Sequence, residues 1–262
     1  MKSLTIKNLL ISFNGSGSFK LHIENLNIKK GEYISIIGQN GSGKSTLLKT
    51  IAGLTEKYSG EILIDDTDIR KIGNNGIAKK IAYVPQFNSG LRFFNFTVFE
   101  FVLTGRFPYI NKFAGYTHED KEIVRNVIEY LRIEKYSDRK MSTLSGGELQ
   151  KAAIGAALAQ QSDILLFDEV NAFLDYKHKL ELDEILQRLL EREETIISVT
   201  HNINDESVKS GKILALKNGE MIYFGCSSDF FKNDGLEKVY DVKFCESKID
   251  KLNRNIFIAY KI

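Results

Sequence analysis

The stretch GQNGSGKST, residues 38–46, has residue types and spacing that suit one kind of chemistry. Glycines at 38, 41 and 43 let backbone N–H groups turn inward around an anion, Lys44 supplies a cation, and Ser45 offers a hydroxyl to a divalent metal. The stretch follows the apolar run EYISIIG and opens a helix, whose dipole adds to the attraction. A glycine-rich turn that merely caps a helix would not need every fixed position, and here each is filled. The chemistry implied is the holding of β- and γ-phosphates.

Two further constellations bear on the same chemistry. In LLFDE, residues 165–169, an apolar run ends on adjacent carboxylates, Asp168 and Glu169, where water is scarce and charge is costly. Beside a phosphate loop a dication offsets that cost: Asp168 suits Mg²⁺ and its waters, and Glu169 suits the orientation and deprotonation of an attacking water. In LSGGE, residues 144–148, Ser145 and Glu148 make a capping box at a helix start. Capping does not explain Gly146 and Gly147, each of which costs up to about 1 kcal/mol relative to alanine in a helix. Paired glycines at a helix N-terminus let an anion approach the backbone closely, so this is a second phosphate-reading surface.

Strands and helices must hold these residues in place. SLTIKNLLISF, FKLHIENLNI and EYISIIG, separated by NGSGS and KKG, predict a small β-layer feeding a buried strand. A helix is predicted over 44–53, a hairpin-like region at SGEILIDDTDI, and a strand at KKIAYV that Pro85 closes. From Gly90 to Leu144 helical periodicity dominates. Ile123, Val124, Val127, Ile128 and Leu131 share one face behind a capping pair, Thr117 and Asp120. An Ala-rich helix (147–160), the strand DILLFD, a charged helix (176–192) and the strands TIISVT, KILALK and EMIYFG follow. Such alternation predicts an α/β fold with a mostly parallel sheet. The expected organisation is one domain: 1–86 and 150–225 form the α/β core with its β-subdomain, 87–149 a helical insert, and 226–262 a C-terminal tail.

Composition excludes several classes. With 43% hydrophobic and 27% charged residues, the 262-residue chain can bury a sizeable core and is neither disordered nor fibrous. A formal net charge of +2 without a basic stripe argues against nucleic acid as a partner. No apolar run is long enough to cross a bilayer, so the chain is expected to stay in the cytoplasm and to touch a membrane only through a partner. Cys226 and Cys245 lack metal-like spacing and are read as free thiols.

Taken in order, the phosphate loop, YVPQ with Gln86, LSGGELQ, LLFDE, FLD with Asp175 and VTHN with His201 resemble the ATPase subunits of ABC transporters. The resemblance covers roughly nine-tenths of the chain. It implies a P-loop NTPase core with an N-terminal antiparallel β-subdomain and an inserted α-helical subdomain. It implies ATP and Mg²⁺ as ligands, sandwiched in a head-to-tail homodimer. Nucleotide contacts implied are Phe13, stacking on adenine, and Gly38, Asn40, Gly41, Ser42, Gly43, Lys44, Ser45, Thr46 and Gln86. Ser145, Gly146, Gly147, Glu148 and Asp175 would face the partner's nucleotide. Ser45, Gln86 and Asp168 would hold the metal, and Glu169, Lys44 and His201 would serve hydrolysis, His201 by bonding the γ-phosphate. His22, His118 and His178 are read as surface or structural.

The chain departs from the family where D-E-P-T-S-A-L-D is usual: Val170, Asn171, Ala172 and Phe173 stand between Glu169 and Leu174. Gly155 and Ala156 also replace a common Ala-Arg pair. GRFPY at 105–109 and LEKVYDVKF at 236–244 resemble ATPases that import iron chelates or cobalamin. That resemblance implies permease subunits and, indirectly, a substrate-binding protein as partners, with Arg106 and Tyr109 in a groove for a permease helix. Import of another solute such as zinc or manganese, or a soluble non-transport ABC ATPase, are the alternatives.

Overall fold

A computed structural model describes residues 3–13, 19–86, 90, 95–110, 115–171, 174–200, 203–204, 211–249 and 254–260. The chain divides into two compact units, residues 1–71 with 195–262, and residues 72–194.

The first unit is built on a sheet in the order β5-β4-β1-β2-β10-β9-β3-β8. Strands β1 (Ser3–Phe13), β2 (Phe19–Lys29), β4 (Ser59–Ile64) and β5 (Thr67–Asp68) pair antiparallel. β2 buries alternate residues, as a strand with one wet face should. β3 (Tyr33–Gly38) and β8 (Thr195–Val199) bury every residue and run parallel, as does β9 (Lys212–Lys217) against β3. Their continuous apolar runs are the mark of central strands. β10 (Glu220–Cys226) returns antiparallel to β9. Helix α1 (Lys44–Ile51) follows β3 directly. These elements match the N-terminal antiparallel strands and the parallel central strands expected from the sequence.

The C-terminal residues form more than a tail. Helices α7 (Ser227–Lys232) and α8 (Gly235–Tyr240) precede an antiparallel hairpin of β11 (Lys243–Ile249) and β12 (Arg254–Tyr260). Phe230, Leu236 and Val239 are buried against Ile37, Ile213 and Ala215, and Phe244 and Phe257 of the hairpin pack on this cluster. Asn204 ties the hairpin down through its amide, which accepts from Phe257 N at 2.7 Å and donates to Phe257 O at 3.3 Å.

In the second unit β6 (Ile81–Val84) and β7 (Ile164–Asp168) pair parallel. Helix α2 (Ile69–Ala78), on which the chain enters this unit, is broken at Gly73 (φ 73°). The helices α3 (Val98–Leu103), α4 (His118–Tyr130), α5 (Gly146–Ala159) and α6 (Tyr176–Glu191) each begin on a side-chain cap, at Thr97, Thr117, Ser145 and Asp175. The first three are complete capping boxes, which satisfy two otherwise orphaned N–H groups each. Gly155 has an explanation here: a Cβ there would lie 3.0 Å from Val102 and 3.2 Å from Leu131, so glycine lets α3 close on α5. Gly105 likewise meets the Ala156 carbonyl.

Arg106, expected with Tyr109 in a groove for a permease helix, is buried. It is 6% exposed, its Nε donates to Asp120 Oδ1 at 2.8 Å, and its Nη1 donates to Ala159 O and Gln161 Oε1, both at 2.9 Å. Tyr109 stacks on its guanidinium at 4.1 Å. Arg106 is therefore a brace that joins the start of α4 to the end of α5. The side chain presented to solvent in this segment is Phe107, 72% exposed.

Candidate nucleotide site

The loop at 38–46 belongs to the first unit. Gly43 is left-handed (φ 103°) and a Cβ there would press Phe19 and Leu21 at 3.0 Å, so only glycine turns the chain into α1. At Gly38 a Cβ would meet the Leu216 carbonyl and lie 2.5 Å from Ser42 Oγ, so glycine lets the end of β3 lie close against both β9 and the loop. Lys44 is buried, and its ammonium donates to Gly38 O at 2.8 Å and Gln39 O at 3.0 Å, holding the cation across the loop. Ser45 and Thr46, half-buried, lie in the first turn of α1. Unlike α3 to α6, α1 has neither a side-chain cap nor an acidic residue in that turn. Its N-terminus therefore keeps the partial positive charge that draws an anion. The Ser42 hydroxyl is buried within the loop with no hydrogen-bond partner among the described residues. These features fit a bound phosphate.

The carboxylates belong to the second unit. Asp168, 3% exposed, ends β7 and accepts a hydrogen bond from the Tyr83 hydroxyl at 2.9 Å. Burial pushes the Tyr83 phenol far up, and the Asp168 charge adds to this, so Tyr83 stays a proton donor to that carboxylate. Glu169 follows in the left-handed region (φ 51°) and accepts from Gln86 Nε2 at 2.7 Å. A non-glycine residue in that region at a strand end is held there by its surroundings, a form of strain that gathers at functional sites. Val170 is buried, and Asn171 Oδ1 is buried with no partner among the described residues; Ala172 and Phe173 lie outside the described residues. Among the described residues no group of three or more His, Cys, Asp or Glu side chains is placed to hold a metal ion by itself. The Asp168 carboxylate, a hard oxygen donor at a strand end, fits Mg²⁺, which is held by one or two carboxylates together with waters and phosphate oxygens.

The LSGGE segment and Asp175 come together in the same unit. Ser145 Oγ accepts from Glu148 N at 3.3 Å and Glu148 Oε2 accepts from Ser145 N at 2.8 Å. Burial pushes the Glu148 carboxyl up, but the Ser145 hydrogen bonds and the charges of Arg139 and Lys135 outweigh it, so the acid stays ionised. Asp175 caps α6 through His178 N at 2.9 Å, and that bond together with the His178 ring holds its pKa below the ordinary carboxylate value. His178, read from sequence as surface or structural, touches both motifs. Tyr83 was also missed, although it stands in the YVPQ stretch. Only its pairing with Asp168 across two strands reveals it. The Phe13 side chain and His201 lie outside what the structure describes.

Comparison with known proteins now decides the family. The ABC transporter family pattern matches residues 21–172. The petrobactin import ATP-binding protein YclP of Bacillus subtilis (strain 168) is 35% identical over 95% of this chain and 98% of its own length. The chain belongs to the ABC transporter ATP-binding family. As an ABC ATPase it shares the P-loop NTPase fold of an inward-facing metal-chelate type ABC transporter (TM-score 0.85, 25% identity, 100% of this chain and 98% of that one). A dimeric ATP-binding cassette in a post-hydrolysis state, bound to ADP and Pi, superposes with TM-score 0.73 at 30% identity over 86% of this chain and 98% of its own. Among the described residues no helix of this ABC ATPase is long and apolar enough to cross a membrane.

Proposed function

We propose that this ABC ATPase is the ATP-hydrolysing subunit of an importer for ferric siderophores or a related iron chelate, peripheral on the cytoplasmic face of the membrane. The observation that carries the cargo class is near full-length similarity to a petrobactin import ATP-binding protein, supported by likeness to a metal-chelate type transporter. Two copies pair head to tail with permease subunits, and a substrate-binding protein delivers the chelate. The dimeric cassette with ADP and Pi supports the pairing.

The residue roles proposed rest on the family motifs, and on the local geometry of the loop at 38–46 and of Asp168, Glu169 and Gln86. The loop N–H groups from Asn40 to Thr46 and the Lys44 ammonium bind the nucleotide phosphates. Phe13 stacks on adenine. Ser45, Gln86 and Asp168 would hold Mg²⁺, which when bound neutralises phosphate charge. Tyr83 fixes one oxygen of Asp168. Glu169, oriented by Gln86, accepts the proton of the attacking water, and His201 bonds the γ-phosphate. Ser145, Gly146, Gly147, Glu148 and Asp175 present the second anion-reading surface to the partner copy's nucleotide.

Uptake of radiolabelled iron by cells lacking this chain tests the cargo. Ferric siderophore uptake is expected to fall to background and to return with the wild-type chain but not with Lys44→Ala. If siderophore uptake persists while zinc or manganese uptake fails, the cargo assignment is wrong.

A further inference from the structure

His178 stands between two segments that the sequence keeps thirty residues apart, the LSGGE helix start and the Asp175 cap. Its backbone N–H donates to Asp175 Oδ1 at 2.9 Å, and its ring Nδ1 lies 2.8 Å from the same oxygen. With 24% of its side chain exposed, the ring is wedged rather than dangling. The opposite edge leans on Gly147: a Cβ placed there would lie 2.8 Å from His178 Nε2 and nearer still to Cδ2 and Cγ. No larger residue fits at 147 while His178 holds this rotamer. A second bolt, Lys151 Nζ to Glu181 Oε2 at 2.6 Å, joins the same two helices one turn further along.

This alters the meaning of the second glycine in LSGGE. Paired glycines suggested that both exist to admit an anion. At 147, however, the missing side chain would point at the imidazole, so the steric demand for glycine comes from His178.

We propose that His178 is a positioning residue for the reaction, an imidazole wedge held by Asp175 and seated on Gly147 that sets the N-terminus of α5 relative to the start of α6. It acts through Ser145 and Gly147 and does not itself touch nucleotide. The inference rests on the proposed role of the LSGGE surface in reading the partner copy's nucleotide. A flat, hydrogen-bonded ring suits this task because Asp175 fixes its orientation while its edge sets a spacing. Without it the helix start can shift by a fraction of an ångström, and displacements of about 1 Å in a site cost on the order of 10²-fold in rate.

The test compares His178→Ala, His178→Asn, Gly147→Ala and the double variant Gly147→Ala/His178→Ala in steady-state ATPase assays and in calorimetric ATP binding. His178→Ala is expected to lower kcat about ten- to a hundredfold. Its ATP affinity, set by the loop at 38–46, should stay within about twofold, as distant independent sites do. His178→Asn keeps an amide at the Nδ1 position and the Asp175 bond but lacks the ring edge, so it should recover only part of the rate. Gly147→Ala should be nearly inactive, and the double variant should exceed it about tenfold because the added methyl gains room. A double variant no better than Gly147→Ala would overturn the wedge, showing that Gly147 serves the anion alone. Equal losses in ATP affinity and kcat for His178→Ala would overturn the positioning role in favour of plain structural support, as would an unchanged kcat. If Glu169→Gln turns over normally, the underlying reading of the site fails. If Glu169→Gln is slow and His178 variants behave as wild type, only this inference fails.

Discussion

Replacing Arg106 by methionine keeps most of the stem and removes the charge, which isolates the brace of the helical part. The Asp120 carboxylate, 4% exposed, would lose its guanidinium partner and keep only Thr117 N and Thr117 Oγ1, each 2.8 Å from Oδ2. Ala159 O and Gln161 Oε1 would lose a donor as well. One unmet buried acceptor, the Ala159 carbonyl, at about 1 kcal/mol, plus an uncompensated buried charge, brings the cost to about 3–5 kcal/mol, the usual loss when one member of a buried pair is removed, while the exposed Gln161 amide can turn to water. Burial alone pushes Asp120 up, but the bonds from Arg106 and Thr117 outweigh it and hold its pKa below the ordinary value. Its contribution is therefore complete above the unfolded carboxylate pKa and is lost as pH falls through the lower folded one. Hydrogen exchange of the α4 and α5 amides reads the local opening energy directly. Arg106→Met should accelerate exchange about a hundredfold or more at neutral pH, and Arg106→Met/Asp120→Leu should restore part of the protection because no lone charge remains. Exchange changed by less than about threefold in the single variant would refute a desolvated pair, since exposed pairs are worth about 1 kcal/mol or less.

Lys44→Ala removes a cation that meets phosphate in both ground and transition states, so calorimetry should show ATP affinity falling by about tenfold or more; unchanged affinity would remove Lys44 from the site. Tyr83→Phe deletes the hydroxyl that fixes Asp168, and the Mg²⁺ concentration for half-maximal ATPase should rise roughly tenfold, as for other residues that orient a metal ligand. An unaltered Mg²⁺ titration would make Tyr83 a packing residue. Phe107→Ser exposes nothing that was buried, so thermal stability should move by less than about 0.5 kcal/mol while iron uptake by the assembled transporter falls. Uptake at wild-type levels would exclude Phe107 from the permease contact.

What could be read from the sequence depended on how locally each feature is made. The capping boxes Thr117 with Asp120 and Ser145 with Glu148 close over three residues, so the pattern alone predicts bonds that the structure contains. The loop at 38–46 is equally local, its glycine at 43 forced by the backbone it must adopt. The helix boundaries at 44 and 176 and the strands at 81, 164, 195 and 212 follow from periodicity and burial for the same reason. The contacts of Arg106, Tyr83 and His178 could not be read from the sequence because their partners are far away in it or supplied by another element: Ala159, Asp168 and Gly147. A buried arginine next to aromatic residues looks, in one dimension, like a docking patch. The hairpin at 243–260 escaped notice because its strands are half exposed and its hold on the unit comes through Asn204, some fifty residues earlier.

The central claim is that ATP is bound between two copies of this chain and that Glu169 is the base that ends the paired state. Light scattering of Glu169→Gln in saturating Mg-ATP tests it most directly. The variant should bind ATP normally, turn it over about 10²- to 10⁴-fold more slowly than wild type, and run at twice the 29.7 kDa chain mass, returning to the single mass when nucleotide is removed. A Glu169→Gln chain that binds nucleotide by calorimetry yet keeps the single mass, or one that hydrolyses ATP at the wild-type rate, would contradict it.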